Sequence, residues 1–259
     1  MTGSAERLDM ALVERGIAET RSKAQALILA GDVRVDGQMI DRAGQRIGPE
    51  QEITLKERRR FVSRGGDKLR HALDAFSVNP SGFVCADIGA STGGFTDCLL
   101  QAGAARVYAI DVGYGQLHLR LRQDDRVVVM ERFNARHLER LPAPIDLVTI
   151  DVSFISLKLI FPGVERVLAD GGQCVALVKP QFEAGKGDVG KKGVVSDPSV
   201  HRRVLQNVMR WSTDNALVPV GLTRSPLRGP EGNTEFLLHL ARYGKGIDSD
   251  EAISNVVDA

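Results

Sequence analysis

Short apolar runs recur through the middle of the chain, and most of them end in a polar residue. The first run ends at Asp87 and is followed by a turn of small residues and a helix-like stretch. Runs of this length and period predict the strands of an α/β sheet. Polar residues at several strand ends predict a ligand site along one rim, since a purely structural sheet has no need of them. The other predicted strands are Arg106–Asp111, Val127–Met130, Ile145–Asp151, Cys174–Lys179, Val218–Leu222 and Thr234–Leu240, and a helix is predicted over His201–Trp211.

Residues 7–55 follow a different pattern, which predicts a small separate α+β unit. Apolar residues first recur at helical spacing and then alternate as they do in strands. Thr20 is placed to cap the second helix, and glycines follow both helices. The predicted elements are helices over 8–17 and 21–29, strands over 33–35 and 51–55, and a turn at Asp36–Gly37.

Three further segments lack a clear period. Residues 56–63 are a basic linker, and residues 56–70 hold seven basic against two acidic residues. The Gly/Lys-rich residues 181–198 predict a mobile or functional loop. The acidic, weakly apolar residues 244–259 predict a disordered tail. The expected domains are therefore 1–62, 63–243 and the tail 244–259.

Composition is that of an ordinary globular protein with one large and one small domain. The chain has 259 residues, 43% of them hydrophobic and 26% charged, and a formal net charge of only +1. No run approaches the ~18 apolar residues of a membrane span, and residues 1–7 lack a signal-peptide core. Three cysteines without metal-ligand spacing predict buried reduced thiols and no metal site. We therefore expect a cytoplasmic protein.

The turn after Asp87 has the physical chemistry of a nucleotide-type ligand site. Its glycines permit positive φ and a close approach of backbone to a ligand at the carboxyl end of a strand. The spacing matches neither the dinucleotide G-x-G-x-x-G nor the Walker A motif. The pattern D-x-G-x-x-x-G-G resembles the first motif of S-adenosylmethionine-dependent methyltransferases. A tight turn without a ligand is the alternative.

Two polar residues at later strand ends support the ligand interpretation. Asp111 lies 24 residues beyond Asp87, near the offset at which an acid meets ribose hydroxyls in dinucleotide folds. Asn134 carries an amide able to read an adenine edge. A helix cap or turn former is the alternative for each. The predicted contacts of S-adenosylmethionine are Asp87, Gly89, Ala90, Ser91, Gly93, Gly94, Asp111, Val112, Asn134 and Asp151.

The N-terminal pattern R-L-D-x-x-L-V-x-x-G … R-S-x-A-x-x-L-I-x-x-G-x-V-x-V-D-G resembles the S4-type RNA-binding domain. Basic side chains on its surface contact phosphates, which supplies affinity without sequence information. Residues 1–62 hold 10 acids against 11 bases, so a solvated charged face is the alternative on charge alone. The resemblance implies RNA contacts at Arg7, Arg21, Lys23 and Arg34, to which the basic segment adds Arg59, Arg60 and Arg64.

Four polar residues, Lys68, Asp151, Lys179 and Glu235, resemble the tetrad of FtsJ-like ribose 2′-O-methyltransferases. The whole chain from Arg7 to Arg242 resembles the TlyA family of bacterial rRNA cytidine 2′-O-methyltransferases, also known as haemolysins. The matching motifs include V-S-R-G-G-x-K-L, D-V-G-Y-G-Q-L, D-V-S-F-I-S-L, V-K-P-Q-F-E-x-G-K and G-P-x-G-N-x-E-F. A departure is Phe61, where the family resemblance leads us to expect tryptophan.

The resemblance implies a role for each member of the tetrad. Lys179 would accept the proton of the ribose hydroxyl, which it can do only in its neutral form. Lys68 would position that hydroxyl and stabilise developing negative charge. Asp151 and Glu235 would orient the two lysines.

The expected function is S-adenosylmethionine-dependent 2′-O-methylation of cytidine in rRNA. The fold implied is a Rossmann-like class I methyltransferase sheet with a small α+β S4-like N-terminal domain. The expected partners are rRNA or ribosomal subunits, with no membrane and no metal, and a monomer is favoured. The alternatives are a non-enzymatic RNA-binding or ribosome-assembly protein, a membrane-active haemolysin and an RNA base-modifying enzyme.

Overall fold

The computed structural model describes residues 5–56 and 60–258, and Arg59 lies outside the described residues. The chain divides into two compact units, residues 1–59 and 60–259. Residues 60–62, which the sequence assigned to the linker, therefore belong to the second unit. Their backbone is held there, because the Arg60 carbonyl accepts a hydrogen bond from Gln101 at 3.0 Å and the Val62 N–H donates to Asp97 at 2.9 Å.

The described residues 5–56 of the first unit form two helices and five short strands. The predicted turn is a two-residue hairpin with positive φ at Asp36 (50°) and Gly37 (79°), as type I′ geometry requires. Thr20 caps the second helix by accepting a hydrogen bond from the Lys23 N–H at 3.2 Å. A core of its own holds this unit together. In chain order the elements are β1 (Glu6–Arg7), α1 (Leu8–Glu14), α2 (Arg21–Leu29), β2 (Val33–Val35), β3 (Gln38–Met39), β4 (Arg46–Ile47) and β5 (Ile53–Leu55).

The strands of the first unit form two small antiparallel sheets. One pairs β1 with β4, and the other has the order β3-β2-β5. The sequence did not predict β1, β3 or β4, because a strand of two residues is too short to show a period.

The second unit is built on a seven-stranded sheet. Short 3-10 turns at Ala135–His137, Leu157–Leu159 and Lys186–Asp188 lie in its loops. In chain order the elements are α3 (Gly65–Ala75), β6 (Val84–Ile88), α4 (Gly94–Gln101), β7 (Arg106–Ile110), α5 (Leu119–Arg122), β8 (Val127–Met130), β9 (Ile145–Ile150), α6 (Phe161–Val167), β10 (Leu168–Val178), α7 (Pro180–Glu183), α8 (Pro198–Thr213), β11 (Val218–Arg224), β12 (Phe236–Ala241) and α9 (Ser249–Val257).

The strand order is β11-β12-β10-β9-β6-β7-β8. Strand β12 is antiparallel to both of its neighbours, and the other pairings are parallel. The chain moves outward from β6 to β8 and then returns to place β9 on the other side of β6. This reversal makes a topological switch point, where open α/β sheets bind ligands outside the carboxyl ends of the strands.

Both faces of the sheet are buried, which explains why its strands read as nearly continuous apolar runs. In β6, Ala86 and Ile88 belong to the core under α6, α8 and α9, whereas Cys85 belongs to the core under α3 and α4. All three cysteines are free and buried, as predicted. Burial raises the pKa of Cys85 and Cys98 to about 12, so these thiols stay protonated near neutral pH.

The prediction of a disordered tail is wrong, because residues 249–257 form helix α9. Asp248 caps it by accepting hydrogen bonds from the N–H groups of Asp250 (3.0 Å) and Glu251 (3.1 Å). The acids of its first turn stabilise the helix, because their negative charges lie at the positive end of the helix dipole. Ile253 and Val256 are one turn apart and buried in the core.

Candidate active site

The turn after β6 needs glycine for two reasons. Gly89 and Gly93 have positive φ of 86° and 95°, where a β-carbon is strained. A β-carbon on Gly89 would also overlap the carbonyl oxygen of Asp151 at the end of β9, and one on Gly93 would overlap the side chain of Leu121. The turn thus brings the end of β6 against the end of β9 at the switch point.

A cavity of about 320 Å³ opens beside this turn. Apolar side chains from β7, from the loop after β8 and from the loop after β9 form much of its wall. Six of the ten predicted cofactor contacts line it: Gly89, Ser91, Asp111, Val112, Asn134 and Asp151. The sequence motifs contained Gln116, Ser153 and Phe154, which also line it, but we assigned them no role from the sequence.

Asp111 and Asn134 each combine a local structural role with a place on the cavity wall. The Asp111 carboxylate accepts hydrogen bonds from the N–H groups of Ser91 (2.8 Å) and Gly113 (2.7 Å). Asn134 accepts a hydrogen bond from the Arg136 N–H at 3.1 Å and so caps the following 3-10 turn. Asp111 therefore stabilises a turn and Asn134 caps one, and both residues also line the cavity.

Four predicted contacts do not line the cavity: Asp87, Ala90, Gly93 and Gly94. Asp87 has no exposed surface. Its carboxyl group accepts hydrogen bonds from the hydroxyls of Thr96 (2.7 Å) and Thr149 (3.1 Å). Burial raises its pKa to about 7, against the lowering effect of the two hydroxyls. Asp87 therefore ties β6 to α4 and β9 beneath the turn, which corrects its predicted place at the ligand surface.

Gly94 has a packing role of its own. A β-carbon there would overlap the Ser63 hydroxyl and lie 2.9 Å from the backbone nitrogen of Gly66. The second glycine of the G-G pair therefore lets the start of α3 approach the start of α4. This contact brings Lys68 of α3 toward the same end of the sheet.

The sheet register collects the other three members of the tetrad. Val178 of β10 pairs with Phe236 of β12, so Lys179 and Glu235 stand at the next position on neighbouring strands. Asp151 follows directly after β9, the other neighbour of β10. Adjacent strands are about 5 Å apart, which places the three side chains along one short stretch of the rim.

The tetrad forms two ion pairs. Lys179 Nζ lies 2.6 Å from Asp151 Oδ1 and donates a hydrogen bond to the Ser153 hydroxyl at 3.0 Å. Lys68 Nζ pairs with Glu235 Oε2. Lys68, Lys179 and Glu235 are all buried, and buried charges are tolerated when they are paired.

Glu235 retains a buried oxygen, Oε1, that has no hydrogen-bond partner among the described residues. A buried polar atom in this state calls for an explanation. Gly229 packs against this carboxylate, and a β-carbon at that position would overlap Oε1. The arrangement can thus supply two ammonium groups and an additional acceptor to a hydroxyl-bearing substrate beside the cavity.

The predicted RNA contacts of the first unit are also structural. Arg7 donates two hydrogen bonds to the fully buried carboxylate of Asp9, at 2.9 and 3.0 Å, and Arg21 and Gln25 donate one each at 2.9 Å. The hydrogen bond from Arg7 is the main reason that the pKa of Asp9 lies far below its usual range. About half of each arginine side chain stays exposed, so further N–H donors remain for phosphate.

The remaining predicted RNA contacts lie at the surface of their units. Lys23 pairs with Glu19, and Arg34 donates to the Gly37 carbonyl at 3.0 Å. Arg60 lies over the ring of Phe61, with its guanidinium carbon 5.1 Å from the ring centroid. Arg64 is exposed next to α3.

Two properties of the described residues 5–56 and 60–258 concern membranes and metals. None of the helices there is long and apolar enough to cross a membrane. The same residues contain no group of three or more His, Cys, Asp or Glu side chains able to hold a metal ion.

The fold and the cavity at its switch point are those of an α/β enzyme that binds a nucleotide-like ligand. Two family models match the chain. An FtsJ-like methyltransferase model matches residues 61–242 and an S4 domain model matches residues 6–53. The chain therefore belongs to the FtsJ-like methyltransferase family, and within it to the group of TlyA proteins, as its relatives show.

Two curated relatives match over nearly their whole length. "Putative rRNA methyltransferase YqxC" of Bacillus subtilis is 51% identical over 97% of this chain and 91% of its own. "16S/23S rRNA (cytidine-2'-O)-methyltransferase TlyA" of Mycobacterium tuberculosis is 47% identical over 90% of this chain and 89% of its own.

Solved structures agree on the fold. The "Putative hemolysin from Streptococcus thermophilus" is 44% identical, with a TM-score of 0.76 over 98% of this chain and 94% of that one. An S-adenosylmethionine-dependent methyltransferase fold from Listeria monocytogenes has a TM-score of 0.54 at 14% identity, over 69% of this chain and 98% of that one. The expectation of a Rossmann-like methyltransferase sheet with an S4-like N-terminal domain is confirmed.

Proposed function

We propose that this protein transfers a methyl group from S-adenosylmethionine to the ribose 2′-hydroxyl of a cytidine in rRNA. The observation that carries the proposal is the double position of Asp151. Asp151 lines the ligand cavity, and its carboxylate pairs with Lys179 Nζ at 2.6 Å. The cavity and the lysine–carboxylate pairs therefore meet at one point of the rim, as methyl transfer to a hydroxyl requires.

The residues of the cavity suit S-adenosylmethionine. Asp111 is a carboxylate that can accept hydrogen bonds from ribose hydroxyls, and the apolar wall with Asn134 suits an adenine ring. Glycine at position 89 keeps the backbone of the turn clear of a side chain that would intrude. When bound, the cofactor supplies an electrophilic methyl group on a sulfonium.

The chain's own residues then manage the proton of the hydroxyl. Asp151 and Ser153 hold Lys179 Nζ in place, and Lys179 in its neutral form would accept the proton that the hydroxyl loses on methylation. Lys68, fixed by Glu235, stabilises the negative charge that develops on the oxygen. Glu235 Oε1 offers an acceptor that orients the hydroxyl beforehand.

The two units divide recognition and chemistry. The S4 domain would bind rRNA or a ribosomal subunit through phosphate contacts, which implies a cytoplasmic protein. The M. tuberculosis relative is named for action on both 16S and 23S rRNA, and we propose the same nucleoside class here.

Mass analysis of rRNA nucleosides from cells with and without this protein tests the proposal. We expect 2′-O-methylcytidine to fall in the deletion strain and to return when the wild-type chain, but not Lys179→Ala, is supplied. Unchanged 2′-O-methylcytidine would overturn the proposal. Loss of a methylated base would indicate a base-modifying enzyme, and a pure defect in subunit assembly would indicate a binding protein.

A further inference from the structure

A second cavity, of about 250 Å³, lies between helix α8, helix α9 and the loop that joins β11 to β12. The helices contribute His201 of α8 and the apolar Val256 and Val257 of α9. The loop and its flanks contribute Arg224, Arg228 and Thr234. Neither the cofactor cavity nor the tetrad includes any of these residues.

The loop connects this cavity to the tetrad. The Ser225 N–H donates to the Glu235 carbonyl at 2.9 Å, and the Gly229 N–H donates to the Asn233 carbonyl at 2.9 Å. Gly229 packs directly against the Glu235 carboxylate. Arg228 and Thr234, which immediately precede Gly229 and Glu235, line the second cavity. Two lining residues of the second cavity are thus direct chain neighbours of Glu235 and of the glycine that packs against its carboxylate.

The charge of this cavity is positive. Arg224 and Arg228 are its charged lining residues, and its lining contains no Asp or Glu. Arg228 donates to the Gly232 carbonyl at 3.1 Å and Arg224 donates to the Thr234 hydroxyl at 3.4 Å, contacts that hold both guanidinium groups at the cavity.

Two acidic residues lie near the cavity without being among its described lining residues. Asp197 caps α8 and accepts a hydrogen bond from the Ser199 N–H at 2.8 Å, and Glu231 is exposed on the loop. His201 donates from Nε2 to the Val195 carbonyl at 2.9 Å. Burial lowers the pKa of His201, with Arg224 also contributing, so the ring is neutral near pH 7.

We propose that Arg224 and Arg228 bind a phosphodiester of the RNA substrate next to the nucleotide that is methylated. The proposal rests on the proposed function, because it takes RNA to be the substrate at the tetrad. Guanidinium groups match the geometry of phosphate oxygens and pair with them by two N–H donors. A phosphate held by Arg228 would anchor the RNA strand at the loop whose Gly229 packs against Glu235, without reading sequence.

The test uses the full-length protein with Arg224→Gln, Arg228→Gln and the double variant. The matched control is Arg210→Gln, since Arg210 is an exposed arginine of α8 that bonds to Asn207 of the same helix. Binding of an rRNA fragment is measured over a range of KCl concentrations, and methyl transfer is followed at limiting and saturating RNA. We expect about a tenfold loss of RNA affinity per variant and a salt slope lower by about one per lost phosphate contact.

Saturating RNA should restore most of the transfer rate, and S-adenosylmethionine affinity should not change. Arg228→Glu is the second variant, because Arg228 is exposed and its replacement leaves the fold intact; charge reversal should weaken RNA binding further than glutamine does. RNA affinity and slope equal to those of the Arg210→Gln control would overturn the proposal. Titration with inorganic phosphate distinguishes a free-anion site, since tight phosphate binding that the double variant loses, with RNA binding unchanged, would also overturn it.

Failure of the proposed function gives a different result. If the wild-type protein methylates no rRNA but the arginine variants still lose RNA affinity and salt dependence, the phosphate site stands and the assigned reaction fails. If the wild-type protein methylates rRNA and the variants match the control, the reaction stands and the phosphate site fails.

Discussion

At the residue scale, the ion pairs around the tetrad decide which lysine can act as a base. Lys179 contacts Asp151 and Ser153 beside the cavity, whereas Lys68 is committed to Glu235. Only Lys179 therefore pairs with a residue that also lines the cofactor cavity. This geometry supports Lys179 as the proton acceptor and Lys68 as a fixed positive charge.

Replacement of Lys179 separates a base from a positive clamp. Lys179→Ala should lower single-turnover methyl transfer by about 10²-fold or more, with RNA and cofactor binding nearly unchanged. Lys179→Arg should fail as well, because a guanidinium stays protonated at any working pH. Pre-bound RNA keeps binding defects out of the measurement. Near-normal transfer by the arginine variant would contradict a proton-acceptor role.

Asp111 offers a direct test of the cofactor cavity. Asp111→Ala removes a carboxylate that can bind ribose hydroxyls, which is worth about 1.5–3 kcal/mol, or about a ten- to hundredfold loss of S-adenosylmethionine affinity in calorimetric titration. Asp111 also holds the turn through the Ser91 N–H, so Asp111→Asn is the control that keeps one acceptor oxygen. Unchanged affinity in both variants would remove Asp111 from the binding site.

Asp87 shows what the sequence leaves open at this scale. A motif places an acid at the end of a strand, but it does not say which face the side chain takes. In β6 the alternation puts Asp87 on the same face as Cys85, under α4, one residue before the rim. Asp111 and Asn134 follow their strands, beyond the alternation, and both line the cavity.

The buried Asp87 should leave a signature in the pH dependence of stability. Its pKa is about 7 in the folded protein, raised by burial from an ordinary value of 3.8. Between about pH 4 and pH 7 the native state thus holds a proton that the unfolded chain has released, so this group lowers the free energy of unfolding as pH rises. The free energy of unfolding of Asp87→Asn minus that of the wild type should increase as pH rises from about 4 to 7, and it should level off above pH 7. Urea titrations at several pH values measure the difference, and a constant difference would contradict it.

At the element scale, helix α9 is the element that the sequence analysis predicted wrongly, and it also forms part of the wall of the second cavity. The tail was judged by its acids and low apolar content, although Ile253 and Val256 already stood at helical spacing behind the capping Asp248. A single apolar turn is too short to reveal a helix by period alone. Its stability comes from packing on α8 and β11 and from Arg202, which contacts Ser254 and Asp258.

Shortening Ile253 tests whether α9 is part of the folded unit. Ile253→Ala should lower the free energy of unfolding by about 2–5 kcal/mol, the usual cost of emptying a core position. Asn255→Ala is the control, because Asn255 is exposed on the same helix. Thermal and urea unfolding of the two variants give the comparison. Equal stabilities would mean that the tail is free in solution.

At the scale of the whole molecule, the proposed function uses both units, with RNA contacts on the S4 domain and the methyl transfer in the second unit. The motifs indicated an S4-like part and an FtsJ-like part of the chain, and the two family models match residues 6–53 and 61–242. The convergence of Arg7 and Arg21 on Asp9 could not be predicted, since a buried ion pair depends on which side chains meet after folding. Those two arginines therefore serve stability as well as any phosphate contact.

RNA recognition by the S4 domain can be tested apart from its stability. Lys23 and Arg34 make only local surface contacts, with Glu19 and with the Gly37 carbonyl, so glutamine at either position should change stability by less than about 0.5 kcal/mol. Each substitution should weaken rRNA binding and lower the salt slope by about one. Arg7→Gln is the comparison that should lose stability together with RNA affinity, because it leaves the buried Asp9 carboxylate short of a partner. Fluorescence anisotropy of a labelled rRNA fragment at several KCl concentrations gives affinity and slope, and urea titration gives stability. An unchanged slope in both surface variants would show that Lys23 and Arg34 belong to an ordinary solvated face.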